Sequence, residues 1–164
     1  MFNLKKIKLT RGYEAIVDDE DYNMLNQSSW HCSTRGYAIQ NITVGGKRGK
    51  LFMHSVVNNT PNGLYTDHIN RDKLDNRKSN LRSCTPSQNQ MNRVANKNNK
   101  LGLKGISWDK GTKKFRAQIQ LDTGVKNLGC YDTVEIALTV YNKMAKKHFG
   151  EFYNKNQAQV QREF

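Results

Sequence analysis

The feature that most limits how this chain can fold is a polar segment at residues 92–100, NRVANKNNK, which has almost nothing to bury. Such a composition is typical of a linker, because it cannot bury enough apolar surface to offset the entropy lost on ordering. A linker here divides the chain into two parts. Of the 164 residues, 36% are apolar, which allows one compact domain or two to three very small modules.

The chain is strongly basic, with a formal charge of +13 from 27 Lys and Arg against 14 Asp and Glu. The basic excess rises from two in residues 1–49 to five in residues 50–99 and six in residues 100–164. This indicates a polyanionic partner, since each cation that meets a phosphate releases counterions. An inert solvated surface has the same composition. A membrane surface is less compatible, because the basic residues do not line one amphipathic helix.

The sequence contains no membrane or targeting signal. No window approaches the roughly 18 apolar residues of a membrane span, and the N-terminus MFNLKKIKL lacks the features of a signal peptide. We therefore expect a soluble, cytoplasmic protein. The cysteines Cys32, Cys84 and Cys130 form neither an even set nor a CxxC pair. They are predicted to be buried small hydrophobes, and not a disulfide framework or zinc site.

Short strand-like segments lie on both sides of the linker. Before it are KKIKL, YEAIV, GYAIQNITV and GKLFMHSVV, the last two joined by a predicted hairpin loop at residues 45–49. That loop is not a phosphate-binding P-loop, because no GxxxxGK frame exists. After the linker, GLKGISW, KKFRAQIQL and VKNLGCY are predicted to form three strands.

A helix is predicted after the last of these strands. Asp132 and Glu135 have the spacing of a capping box, Tyr131 and Ile136 occupy the staple positions, and Gly150 lies just past the end. Apolar residues then recur at helical spacing and are predicted to face the sheet. They are Ile136, Ala137, Val140, Tyr141, Met144, Ala145 and Phe149.

The central segment has polar residues too oddly spaced for a core. Asp67 and His68 end the strand-like GLYT, Asn80 follows twelve residues after His68, and Asn89 lies nine further on. The tetrapeptide TPSQ at residues 85–88 predicts a helix start, with Thr as N-cap, Pro at the first position and Gln closing the box. Asn89 would then lie one turn into a short helix, with Arg93 on the same face.

These groups suit phosphodiester hydrolysis. A hard cation such as Mg²⁺ prefers oxygen ligands, which Asp and Asn supply, and an imidazole can take a proton from water near neutral pH. An Asp-His dipeptide is also common as a simple hydrogen-bonded turn. Neighbours on a regular strand face opposite sides, so Asp67 and His68 can share a site only if the strand ends or bulges there.

Residues 1–95 resemble the HNH endonucleases of phage and intron origin. The resemblance rests on the opening LTRGYEAIVDDEDY and on a specific series of motifs. They are His54, Asp67-His68-Ile69-Asn70, Lys73, Asp75-Asn76-Arg77, Asn80-Leu81-Arg82 and Ser87-Gln88-Asn89.

The resemblance implies a ββα-metal finger with assigned roles. Asp67 and Asn89 would hold one divalent cation, His68 would be the general base, and Asn80 would fix the loop that aims His68. Asn89 stands where other branches of the family have His, and this neutral oxygen ligand favours Mg²⁺ or Mn²⁺ over Zn²⁺. His54, expected on a strand, and Arg93 are candidates for a phosphate contact or a structural role.

Residues 100–154 resemble an AP2/ERF DNA-binding domain. The motifs are Gly105-Ile106-Ser107-Trp108, Phe115-Arg116-Ala117-Gln118-Ile119, Leu128-Gly129-Cys130-Tyr131, Ala137, Tyr141, Ala145 and Phe149-Gly150-Glu151-Phe152. The resemblance implies that the sheet lies in the major groove, which admits a β-ribbon. An exposed alternating set would then face DNA. Its members are Trp108, Lys110, Lys114, Arg116, Gln118 and Gln120.

We thus expect an α+β chain that hydrolyses double-stranded DNA as a monomer in a phage or bacterial cell. Its single active site would nick one strand per encounter, in the manner of a homing-type enzyme. The expected order is an N-terminal β region (1–49), the HNH finger (50–95), a linker (96–103), a three-stranded antiparallel sheet packed on one helix (104–154) and a C-terminal tail (155–164).

Two other functions are compatible with the composition. One is a non-catalytic, sequence-specific DNA-binding regulator with a degenerate finger, although a binder would not need Asp67, His68, Asn80 and Asn89 together. The other is an RNA-directed nuclease, which only the charge supports. A preference for duplex DNA would argue against it, because the deep, narrow groove of A-form RNA excludes a sheet.

Overall fold

The computed structural model describes residues 4–96 and 98–154 of the chain. The expected C-terminal tail, residues 155–164, lies outside the described residues. The chain divides between Asn89 and Gln90 into two compact units. The predicted domain boundary at residue 49 lies inside a strand. The residues on both sides of it belong to the first unit, which includes the N-terminal region and the predicted finger.

The fold is α+β, with short strands and four α-helices among the described residues. The strands are β1 (Leu4–Lys8), β2 (Glu14–Asp18), β3 (His31–Cys32), β4 (Ala38–Val44), β5 (Lys47–Phe52), β6 (Tyr65–His68), β7 (Leu81–Cys84), β8 (Ile106–Asp109), β9 (Lys114–Leu121) and β10 (Gly124–Tyr131). The helices are α1 (Asp19–Asn26), α2 (Met53–Val57), α3 (Pro86–Met91) and α4 (Val134–Phe149).

In the first unit, small antiparallel sheets surround one apolar core. β1 pairs with β2, the sheet β3-β4-β5 follows, and β6 pairs with β7. The hairpin turn between β4 and β5 is shorter than predicted, because β5 already begins at Lys47. The core collects buried side chains from β1, β2, β3, β4 and β7, from the helices α1 and α2, and from connecting segments: Ile7, Leu9, Ala15, Val17, Leu25, Trp30, Cys32, Ala38, Met53, Val57 and Leu81.

One predicted strand is wrong at its end. The segment MHSVV forms the short helix α2 and not the continuation of β5, so His54 lies on a helix. Its β-branched residues favour a strand locally, and tertiary packing overrides that preference. Met53 and Val57 are four residues apart and both enter the core, which is the spacing of a helical face.

The second unit is a three-stranded antiparallel sheet, ordered β10-β9-β8, with α4 packed on one face. Ile106, Ala117 and Ile119 from the sheet and Tyr141 from the helix are buried between them. Gly105 permits the close approach, because its φ is +75° and a Cβ there would lie 2.2 Å from the Tyr141 ring. The predicted sheet-and-helix arrangement is confirmed.

The start of α4 differs by one residue from the prediction. The N-cap is Thr133, whose Oγ1 accepts a hydrogen bond from the backbone N–H of Ile136 at 3.3 Å. Asp132, the predicted cap, instead lies 3.0 Å from Lys114 Nζ in an exposed ion pair. Either residue satisfies the sequence rule for a cap.

The predicted linker is partly packed. Leu103 is buried, and the Asn99 side chain donates to the carbonyl oxygens of Leu103 and Ile106. Upstream, Asn92 is buried, and Asn154 Nδ2 donates to its backbone and side-chain oxygens at 3.0 and 3.1 Å. Polar side chains here order the backbone through hydrogen bonds, which a count of apolar residues does not detect.

None of the helices in the described ranges has the length and hydropathy of a membrane-crossing segment.

Candidate active site

The first unit brings an acid and an imidazole together at the end of β6. Asp67 and His68 are 6% and 5% exposed. β6 pairs with β7 in a regular register, without a bulge, and ends at His68. The side chains of Asp67 and His68 therefore lie at the end of the strand. Because the strand is covered on both faces here, neighbouring side chains are both buried.

Asp67 is held in a buried ion pair with Arg82, the residue opposite it on β7. Arg82 Nε and Nη2 donate to Asp67 Oδ2 at 2.9 and 2.7 Å. This cross-strand pair supplies the opposite charge that a buried carboxylate needs. The sequence motif that contains Arg82 predicts no role for it, because this contact depends on the register between β6 and β7.

His68 is held by the side chain of Asn76. Its Nε2 lies 3.2 Å from Asn76 Oδ1. Burial lowers the pKa of His68, while the bond to Asn76 and the nearby carboxylates act in the opposite direction. The ring is therefore neutral at pH 7, which is the state that can accept a proton.

A cluster of rings packs around His68. His54 meets it edge to face, with ring centroids 5.0 Å apart, and Tyr37 lies 5.3 Å from His54 and 6.1 Å from His68. Burial, and secondarily the charge of His68, lower the pKa of His54 to about 3. His54 Nδ1 is buried, and no hydrogen-bond partner for it lies among the described residues. These contacts fit the structural alternative for His54 better than a phosphate contact.

The loop between β6 and β7, residues 69–80 and here called the finger loop, is organised by Asn80. Asn80 Oδ1 accepts from the backbone N–H of Asn70 at 2.9 Å, and its Nδ2 donates to the carbonyl of Asp75 at 2.8 Å. Arg77 donates twice to the Asp75 carboxylate and, with burial opposing it, lowers the pKa of that group. Asn80 thus has the contacts expected of a residue that fixes the loop.

The N-terminal region braces the same loop. Ile16 of β2 accepts from Asn76 N–H and donates to Leu74 C=O, both at 2.8 Å. Asp18 Oδ2 accepts from the backbone N–H of Lys78 at 2.8 Å. The finger loop therefore takes part of its backbone bonding from the beginning of the chain.

The helix α3 begins with the predicted reciprocal capping box. Thr85 N–H donates to Gln88 Oε1 at 2.8 Å, and Gln88 N–H donates to Thr85 Oγ1 at 3.2 Å. This confirms the helix start and places half-buried Asn89 on the helix that follows β7. The helix ends at Met91, so Arg93 lies beyond it and not on the predicted helical face.

The chemistry of Asp67 and Asn89 suits a hard cation that keeps much of its water. In the described ranges, no three His, Cys, Asp or Glu side chains are grouped to hold a metal. Mg²⁺ does not require such a cage, because one or two protein oxygens and substrate phosphates suffice.

Cys84 is excluded as a nucleophile near neutral pH, since burial raises the pKa of its thiol to about 11. Cys32 is also buried, while Cys130 is only half-buried.

Two surfaces carry exposed polar and basic side chains. In the first unit, the β4–β5 hairpin bears Lys47, Arg48 and Lys50 beside a shallow groove. In the second, the outer face of β9 carries Arg116, Gln118 and Gln120.

The outer face of the second unit differs in part from the predicted set. Trp108 is paired with Phe115 on the neighbouring strand, and the two rings pack edge to face with centroids 4.9 Å apart. Trp108 therefore belongs to the face of the sheet that packs on the helix, and not to the outer face. Arg116 forms an ion pair with Asp109, and Lys114 forms an ion pair with Asp132. Lys110 is exposed in the turn between β8 and β9. The predicted alternation runs across the turn between β8 and β9. The length of that turn sets the register of the two strands, and composition does not determine it.

Most of the chain is similar in sequence to known proteins. The HNH endonuclease family profile matches residues 59–91. An uncharacterized HNH endonuclease of Acanthamoeba polyphaga mimivirus is 30% identical over 144 residues, covering 87% of this chain and 74% of that protein. Protein 3.8 of Escherichia phage T7 is 33% identical over 92 residues, covering 56% of this chain and 75% of that protein. No solved structure matches the chain.

Proposed function

The chain belongs to the HNH endonuclease family, and from this premise we propose that it is a divalent-metal-dependent enzyme that nicks duplex DNA. The observation that carries the proposal is the buried end of β6. There a carboxylate and a neutral imidazole on consecutive residues are both buried, and each is held by a bond to another side chain. Buried titratable groups of this kind are typical of functional sites, and phosphodiester hydrolysis is a reaction that would use both of them.

Each residue has a distinct part in the proposed reaction. His68 takes a proton from water as the water oxygen bonds to phosphorus, one P–O ester bond breaks, and the leaving oxygen takes up a proton from solvent. Asp67 and Asn89 would hold one Mg²⁺ or Mn²⁺, which when bound neutralises charge on the phosphate. Asn80 fixes the finger loop that aims His68.

DNA would be held by both units. Beyond its short pairing with β3, the β4–β5 hairpin continues as a two-stranded basic ribbon, a shape that the major groove admits. In the second unit, the outer face of the β8–β10 sheet presents polar side chains, as an AP2-like domain would. We propose that Arg116, Gln118 and Gln120, with Lys110 and Lys114 beside them, contact DNA. Trp108 would contact it only from the end of the sheet.

One active site per chain accounts for nicking and for action as a monomer. A double-strand break would require two encounters or two chains. Homing-type mobility is a further part of the proposal, supported by the likeness to proteins of a phage and a giant virus.

A non-catalytic DNA-binding regulator is the second candidate. The observation that favours it is the ion pair between Arg82 and Asp67, because a carboxylate already neutralised by a guanidinium attracts a cation less strongly. The two candidates differ in whether DNA is cut.

Supercoiled plasmid provides the test of the proposal. The wild-type protein with Mg²⁺ should convert it to relaxed circles, and EDTA should prevent the conversion. His68→Ala should bind duplex DNA almost as tightly and cut it about 10² to 10⁴ times more slowly, the factor that a positioned base contributes. Tight binding by the wild type without relaxed circles, over a range of Mg²⁺ and Mn²⁺ concentrations, would support the regulator instead.

A further inference from the structure

Asn76 is a completely buried amide in the finger loop, with 0% of its surface exposed. Its backbone N–H donates to Ile16 C=O on β2 at 2.8 Å, which anchors it to a strand outside the loop. Its side chain reaches the ring of His68. The placement of this amide is therefore fixed from two directions.

The neighbours of Asn76 determine which way its amide points. Nδ2 lies 3.3 Å from the carbonyl oxygen of Leu74 and 3.6 Å from the sulfur of Met53. Both of these atoms can only accept a hydrogen bond, so the NH₂ group must face them. The amide oxygen must then face His68 Nε2, 3.2 Å away.

An amide oxygen only accepts hydrogen bonds, so His68 Nε2 must donate. A neutral imidazole carries one N–H, and a proton on Nε2 leaves the lone pair on Nδ1. The surrounding rings of His54 and Tyr37 restrict reorientation of the imidazole, because both pack against it. The bond to Asn76 therefore selects one tautomer of the ring.

We propose that Asn76 is a positioning residue that holds His68 as the Nε2–H tautomer, so that Nδ1 is the atom that takes the proton from water. This inference rests on the proposed function, in which His68 is the general base. Asn76 itself touches neither substrate nor metal in this scheme. It acts only by fixing the ring and its proton, as partners of metal-bound histidines do elsewhere.

Nitrogen-15 NMR of the full-length protein, without added metal, reads the tautomer directly. The chain has only four histidines, so single His→Gln variants assign the signals. Neutral His68 should give the pattern of a single Nε2–H tautomer, whereas exposed His148 should show the exchange-averaged mixture of a solvated ring. An Nδ1–H tautomer or an averaged mixture at His68 would overturn the proposal.

Asn76→Leu removes the acceptor and retains a side chain of similar size. His68 should then show a population of the Nδ1–H tautomer. Nicking should slow by roughly tenfold or more, but by no more than the factor of about 10² to 10⁴ that a positioned base contributes in full. Asn58→Leu is the matched control, since Asn58 bonds to Thr60 and Ser83 in the same unit. An unchanged His68 spectrum in folded Asn76→Leu would contradict the inference, and the wild-type spectrum decides it even where that variant does not fold.

The two proposals fail in different ways. A single Nε2–H tautomer in a protein that never nicks plasmid would leave the selection of the tautomer by Asn76 intact and remove the enzymatic function. Plasmid nicking by a protein whose His68 is an averaged mixture would do the reverse.

Discussion

Asp67 and Arg82 form an ion pair in the interior of the first unit. The two side chains are 7% and 13% exposed, so neither charge is well solvated. Pairing of this kind adds little net stability compared with apolar residues of the same shape, yet removing one partner is costly. A cation bound by Asp67 would share the carboxylate with this guanidinium.

Arg82→Leu should lower the free energy of unfolding by about 3 to 5 kcal/mol, because it leaves the buried carboxylate unpaired. The double variant Asp67→Leu/Arg82→Leu should recover most of that loss. Urea denaturation of the wild type and both variants measures the difference. A cost below about 1 kcal/mol for Arg82→Leu would mean that the pair behaves like an exposed one.

His54 gives the stability of the first unit a dependence on pH. Its pKa is about 3 when folded and about 6.5 when unfolded. The unfolded chain binds the proton first, so the contribution of His54 is complete above pH 6.5 and is lost as the pH falls toward 3. The slope is about 1.4 kcal/mol per pH unit in that window.

The experiment compares the wild type with His54→Leu in urea from pH 7 to pH 4. The wild type should lose stability relative to the variant as the pH falls, while contributions from other groups largely cancel. Parallel curves would show that His54 is accessible enough to protonate without unfolding.

At the scale of the elements, the starts of the helices show how much of the structure is determined by local sequence. The box at Thr85 and Gln88 was predicted correctly because all of its contacts lie within four residues. At α4, two adjacent residues could cap the helix, and the ion pair that occupies Asp132 comes from Lys114 on β9. A contact between distant elements thus decides a choice that local rules leave open.

Substitutions at the two candidate caps of α4 should separate their contributions. Thr133→Ala should cost about 1 kcal/mol, the usual value for a lost N-cap. Asp132→Ala should cost less than about 0.5 kcal/mol, since its carboxylate is 80% exposed and the pair is solvated. Thermal or urea unfolding of the two variants measures this difference, and the reverse order would make Asp132 the cap in solution.

At the scale of the molecule, the strands of the second unit and the site residues Asp67, His68, Asn80 and Asn89 could be proposed from sequence. The roles of Arg82 and Asn76 could not. Arg82 depends on the register of β6 and β7, and Asn76 depends on a backbone bond to Ile16, which lies in an earlier part of the chain. Both contacts join residues that are distant in the sequence, so residue type alone gives no guide to them.

Affinity for duplex DNA should fall steeply with salt, by about 0.9 log units per log unit of salt for each phosphate contacted. Arg48→Glu/Lys50→Glu on the hairpin should weaken binding and reduce that slope by about two contacts. Lys8→Glu, an exposed lysine of β1 in the same unit, is the control. Fluorescence anisotropy over a salt series measures the slopes, and a flat dependence in the wild type would contradict binding through phosphates.

The bonds from Ile16 to the finger loop have a consequence for protein engineering. A finger excised at residue 50 and grafted into another scaffold would lose the backbone partners of Leu74 and Asn76. A transplantable cassette would have to include the β1–β2 hairpin, although that hairpin lies upstream of His54 and of all the motif residues that follow it.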